Sequence, residues 1–182
     1  MMSIEKEGVM IVAKLMAVSA RTAPKAKGSD SLVVRIASDD ELNALAESMV
    51  EFGEKHGFGF FIRDAGNIRE SDCCVIIGEK GDSSLGLNCG GCGYPTCGEM
   101  RKAQEKNRID SAFSGPNCVV RQADLGIAVG SAVKTASLNN VDNRVMFSAG
   151  VGALKLGWLG DCNVAYGIPL SASGKSIFFD RK

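Results

Sequence analysis

Residues 86–98 read GLNCGGCGYPTCG, and neither a helix nor a strand suits them. Glycine inside a regular element costs roughly 0.5–1 kcal/mol relative to alanine, and proline removes a backbone donor. The stretch is therefore a loop, and the rest of the fold is built around it. Three cysteines fall on that loop, Cys89, Cys92 and Cys97, in a C-x2-C-x4-C spacing. Cys118 follows 21 residues beyond Cys97.

One loop carrying three thiols, with a distant fourth, makes a four-ligand site. The metal candidates are a [4Fe–4S] cluster and structural zinc. Zinc sites use two knuckles, each turning two thiolates toward one tetrahedron, and only one C-x2-C pair is present. Three clustered cysteines with a remote fourth suit a cubane better, and the glycines leave backbone N–H groups free to approach cluster sulfurs. Pro116, two residues before Cys118, stiffens the approach of the fourth ligand. A thioredoxin-like thiol pair would need a helix N-terminus at the C-x2-C, where Gly90, Gly91 and Gly93 are poor helix starters. Disulfides are disfavoured by an odd total of seven cysteines and a cytoplasmic reading of the chain. Cys73 and Cys74, in the apolar run CCVIIG, read as small core residues, as does Cys162.

NCGGCGYPTCGE with a later cysteine resembles the iron–sulfur domain of RnfB-type ferredoxin subunits and of the corrinoid iron–sulfur protein. That resemblance implies one [4Fe–4S] cluster held by Cys89, Cys92, Cys97 and Cys118. The whole chain is similar to the family of uncharacterised proteins containing a ferredoxin domain, through ARTAPKAKG, SGPNC, GSAVKTAS, DNRVMFSAG and GIPLSASGKSIFFDR. A second likeness joins the turn ARTAPK to the helix DLGIAVGSAVKTAS and resembles the nitroreductase flavoproteins. It implies an FMN-binding α+β fold whose long helix packs at a dimer interface. Arg21, Lys25, Lys27 and Lys175 would then be candidates for the FMN phosphate. The alternative for the four cations is solvated loop charge.

The remaining pattern predicts a single α+β domain over 1–182, with a mixed sheet, flanking helices and a cluster-binding segment inserted at 82–118. A helix over 4–20 is apolar on nearly all sides and reads as buried. A strand at 32–37 leads to a capping box at Ser38-Asp39-Asp40-Glu41, and a helix carries Leu42, Leu45, Ala46 and Met49 inward until Gly57. Strands are expected at FGFFIR (58–63), CCVIIG (73–78), CNVAYGIPL (162–170) and SIFFD (176–180), the last two as a C-terminal hairpin. Helices are expected at 98–107, capped by Thr96, at 118–138, and in a short run ending near Gly157. Gly126 and Gly130 within the second of these point to close packing against another backbone, in this chain or a partner's.

With 21 basic and 21 acidic residues the chain has no net charge, so neither nucleic acid nor an anionic membrane is an expected partner. No apolar stretch reaches the 18 or so residues of a membrane span. The expected partner is a redox protein or a small-molecule electron acceptor, with a homodimer implied by the helix and the nitroreductase likeness. GIPLSASGKS spaces its glycines wrongly for a P-loop. The single histidine, His56, suits a helix C-terminus and leaves acid–base catalysis without support, so no catalytic residue is assigned. The chain reads as an electron-transfer module, with a flavin–iron–sulfur oxidoreductase and a structural or sensing protein as alternatives.

Overall fold

The computed structural model describes residues 3–81, 83–106 and 111–179. Its sheet is organised by β2 (Cys73–Lys80), whose first seven residues are all buried. Successive side chains on a strand point to opposite faces, so Cys73, Val75 and Ile77 enter one core while Cys74 and Ile76 enter another. β1 (Leu32–Ser38) pairs with one edge of β2, and β4 (Cys162–Ser171) with the other. The short β3 (Asp142–Asn143) completes the order β1-β2-β4-β3. Every pairing is antiparallel, where the sequence led us to expect a mixed sheet. The α+β class stands.

Helices cover both faces. α1 (Ile4–Thr22) and α5 (Val119–Leu138) close the first core, through Val9, Met16, Leu125 and Ala132 among others. α2 (Asp40–His56), α3 (Gly59–Arg69) and α6 (Phe147–Lys155) close the second. α6 lies almost on β4: a methyl group added at Gly150 would stand 1.9 Å from the carbonyl oxygen of Ala165. Half of the capping box at α2 is present, with the Ser38 N–H donating to Glu41 Oε2 at 3.4 Å, and Gly57 ends the helix in the left-handed conformation at φ 72°. His56 occupies the last turn and stacks on Phe52.

Three further expectations change. FGFFIR is part of α3, not a strand. Its aromatics favour strands in general, but Phe61, Ala65 and Ile68 recur at helical spacing and all are fully buried. Gly53 lets α3 fold back on α2, because a side chain there would begin 2.8 Å from Phe61 Cβ. SIFFD forms no strand over its described residues, 176–179. The tail leaves the sheet and crosses α3 instead, burying Phe178 in the second core and receiving a bond from Asn67 to the Ile177 carbonyl oxygen. α1 buries one face only, leaving Ile11, Leu15 and Val18 exposed. Gly126 and Gly130 also stand exposed with no atom near enough to touch an added methyl, so the packing of α5 within this chain uses its other side. The expected helix at 98–107 runs from Cys97 to Lys106, and residue 107 lies outside the described residues, as do 82 and 180.

Candidate metal centre

Between β2 and α5 the chain leaves the sheet, and this excursion carries all four of the cysteines singled out by spacing. Its first half turns on glycines: Gly86, Gly90 and Gly93 hold φ of 66°, 72° and 85°, a region open to glycine at little cost. The Gly93 N–H closes a turn on the Gly90 carbonyl oxygen at 2.9 Å. Asn88 is also left-handed, at φ 47°, and its Oδ1 accepts the Cys97 N–H at 2.9 Å. The two ends of the C-x2-C-x4-C stretch are thereby drawn together across the loop.

α4 (Cys97–Lys106) begins at the third cysteine. Thr96 and Glu99 form a reciprocal capping box, Thr96 Oγ1 accepting the Glu99 N–H at 3.2 Å and Glu99 Oε2 accepting the Thr96 N–H at 3.3 Å. Cys118, the fourth cysteine, is the N-cap residue of α5 and is buried. The two helix starts are linked. Gln104, on α4, donates to the Pro116 carbonyl oxygen at 2.9 Å and to Asn117 Oδ1 at 3.3 Å. Asn117 in turn bonds the Ser114 carbonyl oxygen at 2.7 Å and accepts from Asn163 of β4 at 3.4 Å. The loop also touches α5 directly, since a methyl at Gly91 would stand 2.6 Å from Val119 Cγ1 and 3.7 Å from Cys89 Sγ.

Cys89 is exposed, and Cys92 and Cys97 are partly so. All seven thiols are free of disulfides. Among the described residues, no three His, Cys, Asp or Glu side chains converge closely enough to hold one metal ion. The donor set nevertheless fits an iron–sulfur cluster in kind: four thiols, two of them at helix N-termini where N–H groups favour negative charge, with Gly90, Gly91 and Gly93 leaving the backbone between and beside Cys89 and Cys92 without side chains. Cys73, Cys74 and Cys162 are buried in the two cores, and burial raises all three thiols, Cys73 and Cys162 to about 12. They are packing residues, as their sequence context implied.

Residues 114–181 match the family model described as an uncharacterized protein containing a ferredoxin domain, a stretch that includes Cys118. A protein of Archaeoglobus fulgidus, itself described as uncharacterized, is 46% identical over 177 residues, spanning 97% of this chain and 94% of its own length. The chain belongs to this ferredoxin-domain family. Its fold is that of the nitroreductases. An FMN-dependent nitroreductase of Clostridium difficile aligns with 100% of the chain and 81% of its own at a TM-score of 0.53 and 16% identity. One from Mycobacterium smegmatis, solved with NADPH, covers 91% and 78% at 0.58 and 10% identity. A nitroreductase of Desulfitobacterium hafniense with bound FMN covers 96% and 80% at 0.56 and 12% identity.

In this ferredoxin-domain protein the four candidate phosphate-binding cations fall in two places. Arg21, Lys25 and Lys27 lie at the C-terminal end of α1 and the turn after it. Arg21 pairs with Asp30 and donates to the Leu32 carbonyl oxygen at 2.9 Å. Lys25, nearly buried, caps α1 through the carbonyl oxygens of Arg21 and Ala23 at 2.7 and 2.9 Å. Lys27 is left-handed at φ 56° and donates to the Leu85 carbonyl oxygen at 2.9 Å, tying this turn to the cysteine loop. Lys175 lies instead in the bends after β4, beside Arg63 and Asn67 of α3 in a cleft of about 620 Å³. SASGKS leads into bends and not into the helix a P-loop requires.

Sequence reasoning missed the groups that hold the loop in place. Asn88, Gln104 and Asn117 sit in stretches that read as ordinary polar surface, and no local signal marks them; their roles come from partners 9, 12 and 46 positions away. The capping pair Thr96 and Glu99 had a signal, the T-x-x-E spacing.

Proposed function

We propose that the protein binds one [4Fe–4S] cluster through Cys89, Cys92, Cys97 and Cys118 and acts in the cytoplasm as a ferredoxin-like electron-transfer module. Its partner is a redox protein or a small-molecule electron acceptor. The observation that carries this reading is the coupling of the two helix starts: Cys97 opens α4, Cys118 caps α5, and Gln104 fastens one to the other. Membership of a ferredoxin-domain family supports it. Among the described residues no helix is long and apolar enough to cross a membrane.

When bound, such a cluster supplies one-electron transfer at a potential set by hydrogen bonds to its sulfurs and by burial. The chain contributes the rest. The glycines leave N–H groups unshielded around Cys89 and Cys92, the N-terminal turns of α4 and α5 face negative charge with their unpaired N–H groups, and buried Cys118 anchors the site against the core. The exposed Cys89 side gives electrons a short route to a docked partner. Closing the loop draws the four thiols together, with Asn88 and Gln104 holding its two ends. The face formed by Ile11, Leu15, Val18 and Ile127 is exposed and apolar, and fits a second copy in a homodimer.

A flavin–iron–sulfur oxidoreductase is the second reading, favoured by the nitroreductase fold. Its candidate phosphate ligands are Arg21, Lys25 and Lys27 at the end of α1, with Lys175, in the separate cleft beside α3, as another candidate. A phosphate on Lys25 or Lys27 displaces amino groups from the carbonyl oxygens they now serve. Structural zinc is the third. Anaerobic purification with assays of iron, sulfide, zinc and released flavin, and a visible spectrum before and after dithionite, separates them. Cluster stoichiometry is about four irons and four sulfides per chain; with bleaching and no flavin, that result carries the first reading. FMN alongside iron selects the second, and one zinc with no colour overturns both. Full iron content in Cys97→Ser overturns the ligand assignment.

A further inference from the structure

Where the segment that carries the cysteines leaves β2 and where it enters α5 lies a buried polar group of residues that neither the core nor the ligand set explains. Glu79, near the end of β2, is 1% exposed, and among the described residues no ammonium or guanidinium lies within hydrogen-bonding reach of it. Its carboxylate accepts only hydroxyls: Ser31 Oγ at 3.0 Å on one oxygen and Ser83 Oγ on the other. Arg121 and Asp124, one and two turns into α5 from Cys118, are 4% and 3% exposed. They pair with each other at 3.2 Å. Asp124 also accepts the Ala26 N–H at 3.0 Å, Arg121 bonds the Ser29 carbonyl oxygen at 2.6 Å, and Arg121 Nε has no partner. The group bridges the turn after α1, the end of β2, the start of the cysteine loop and the first turns of α5.

Burying ionisable groups is costly, and they concentrate where charge changes. Among the described residues, these charged or titratable groups lie around Glu79. Arg121 and Asp124 face it from α5, Lys80 follows it on β2, and the Cys162 thiol, neutral at physiological pH, approaches from β4. Arg121 is already matched by Asp124, so an ionised Glu79 leaves the group one negative charge in excess. Desolvation accordingly holds this carboxyl above the usual range, against the two hydroxyls that favour its charged form. Ser83 links the buried acid to the half-buried start of the cysteine segment. Ser83 is only half-buried, and its Oγ is placed to donate either to Glu79 or to the Lys80 carbonyl oxygen, at 2.9 Å. Ser83 is thus a hydroxyl that can turn its proton between the buried acid and the Lys80 carbonyl oxygen.

We propose that Glu79 takes up a proton when the group held by the four cysteines gains an electron. This rests on the cluster reading above. The balance is simple: a one-electron donor reduces the cluster, a proton from solvent passes through the Ser83 hydroxyl to form an O–H bond on Glu79, and Ser83 recovers its own proton from water. The net charge of the site does not change. Glu79 acts through the field at the cluster and touches no reacting atom; it is a charge-compensating residue.

The test is a spectroscopically monitored redox titration of the reconstituted wild-type protein, Glu79→Gln and Ser83→Ala, at a series of pH values, with iron and sulfide assayed on each sample. In the wild type the potential falls with rising pH over a limited window, with a slope approaching about 59 mV per pH unit, the one-electron equivalent of a tenfold change in proton concentration. Glu79→Gln keeps its cluster and loses the slope. Ser83→Ala keeps the slope and moves it to higher pH, because one donor to the charged carboxylate is gone. Reduced-minus-oxidised infrared spectra show a protonated carboxyl band in the wild type and none in Glu79→Gln. A flat wild-type potential on a full cluster, or a Glu79→Gln line that tracks the wild type, overturns the proton role and leaves the cluster reading standing. A wild-type sample that takes up no iron and no sulfide overturns both.

Discussion

Gln104 Nε2 donates to the carbonyl oxygen of Pro116 at 2.9 Å, and this bond fixes the distance between the helix that Cys97 opens and the turn that delivers Cys118. The two residues are 12 positions apart, with the segment 107–110 between them, so the bond closes the second half of the cysteine excursion much as Asn88 closes the first. The same amide reaches Asn117 at 3.3 Å, and Asn117 reaches Asn163 of β4. The fourth cysteine is in this way referenced to the sheet.

Replacing Gln104 with alanine removes both bonds. A hydrogen bond of this kind contributes about 1 kcal/mol to stability, so a small fall in the urea midpoint follows. The larger effect falls on the site: the variant loses iron to a chelator several-fold faster than the wild type under anaerobic conditions. Equal rates of iron loss would show that Gln104 does not position the ligands.

Thiol alkylation followed by mass spectrometry sorts the cysteines by exposure. In the native metal-free protein Cys89 modifies first, followed by Cys92 and Cys97, whereas Cys73, Cys74 and Cys162 modify only on unfolding. Burial pushes the Cys73 and Cys162 thiols up to about 12, which removes the reactive thiolate as well as access. Loading the cluster protects Cys89, Cys92, Cys97 and Cys118 together. Protection of only a subset would reassign the ligand set.

Gly150 is the tightest contact between α6 and the sheet. Alanine there drives a methyl to 1.9 Å from a backbone oxygen, which cannot rotate away. Overpacking of this sort costs about 1–3 kcal/mol, and α6 must lift off β4. Thermal denaturation of Gly150→Ala measures the loss, and a melting temperature equal to the wild type's would contradict the close approach.

Glu79 makes stability depend on pH in a definite direction. Its folded carboxyl titrates above the unfolded value of 4.5, so the folded state holds the proton more tightly. Its contribution is fully present below that pH and is lost as pH rises through the folded value. Glu79→Gln removes the charge without removing the side chain. Relative to the wild type, the variant gains stability between pH 4 and neutrality, as urea unfolding at several pH values will show. A constant difference across that range would mean that Glu79 titrates normally.

The cysteine spacing marked the loop and its candidate thiols, because ligand chemistry is written in residue type and short separations, and the family was legible in motifs spread along the chain, from ARTAPKAKG to GIPLSASGKSIFFDR. The buried strand CCVIIG and the capped helix from Asp40 were legible for the same reason: period-2 and period-3.6 burial are local signals. What local sequence misjudged were segments whose fate hangs on neighbours far along the chain. FGFFIR has the aromatic content of a strand, yet it became α3 because Gly53 and the second core take a helix there. SIFFD has the apolar content of a strand, yet it packed across α3, where Phe178 enters the second core and Asn67 bonds the Ile177 carbonyl oxygen. Of the two close packings expected for Gly126 and Gly130, the one within this chain is not made: α1 with α5 packs on Leu125, Ala128 and Ala132. Only the tertiary structure set Gln104 against Pro116, Asn88 against Cys97, and Glu79 with Arg121 where the cysteine segment meets β2 and α5. Hydrogen bonds between distant polar residues leave no periodicity in a sequence; they exist only after hydrophobic burial has brought their backbones together.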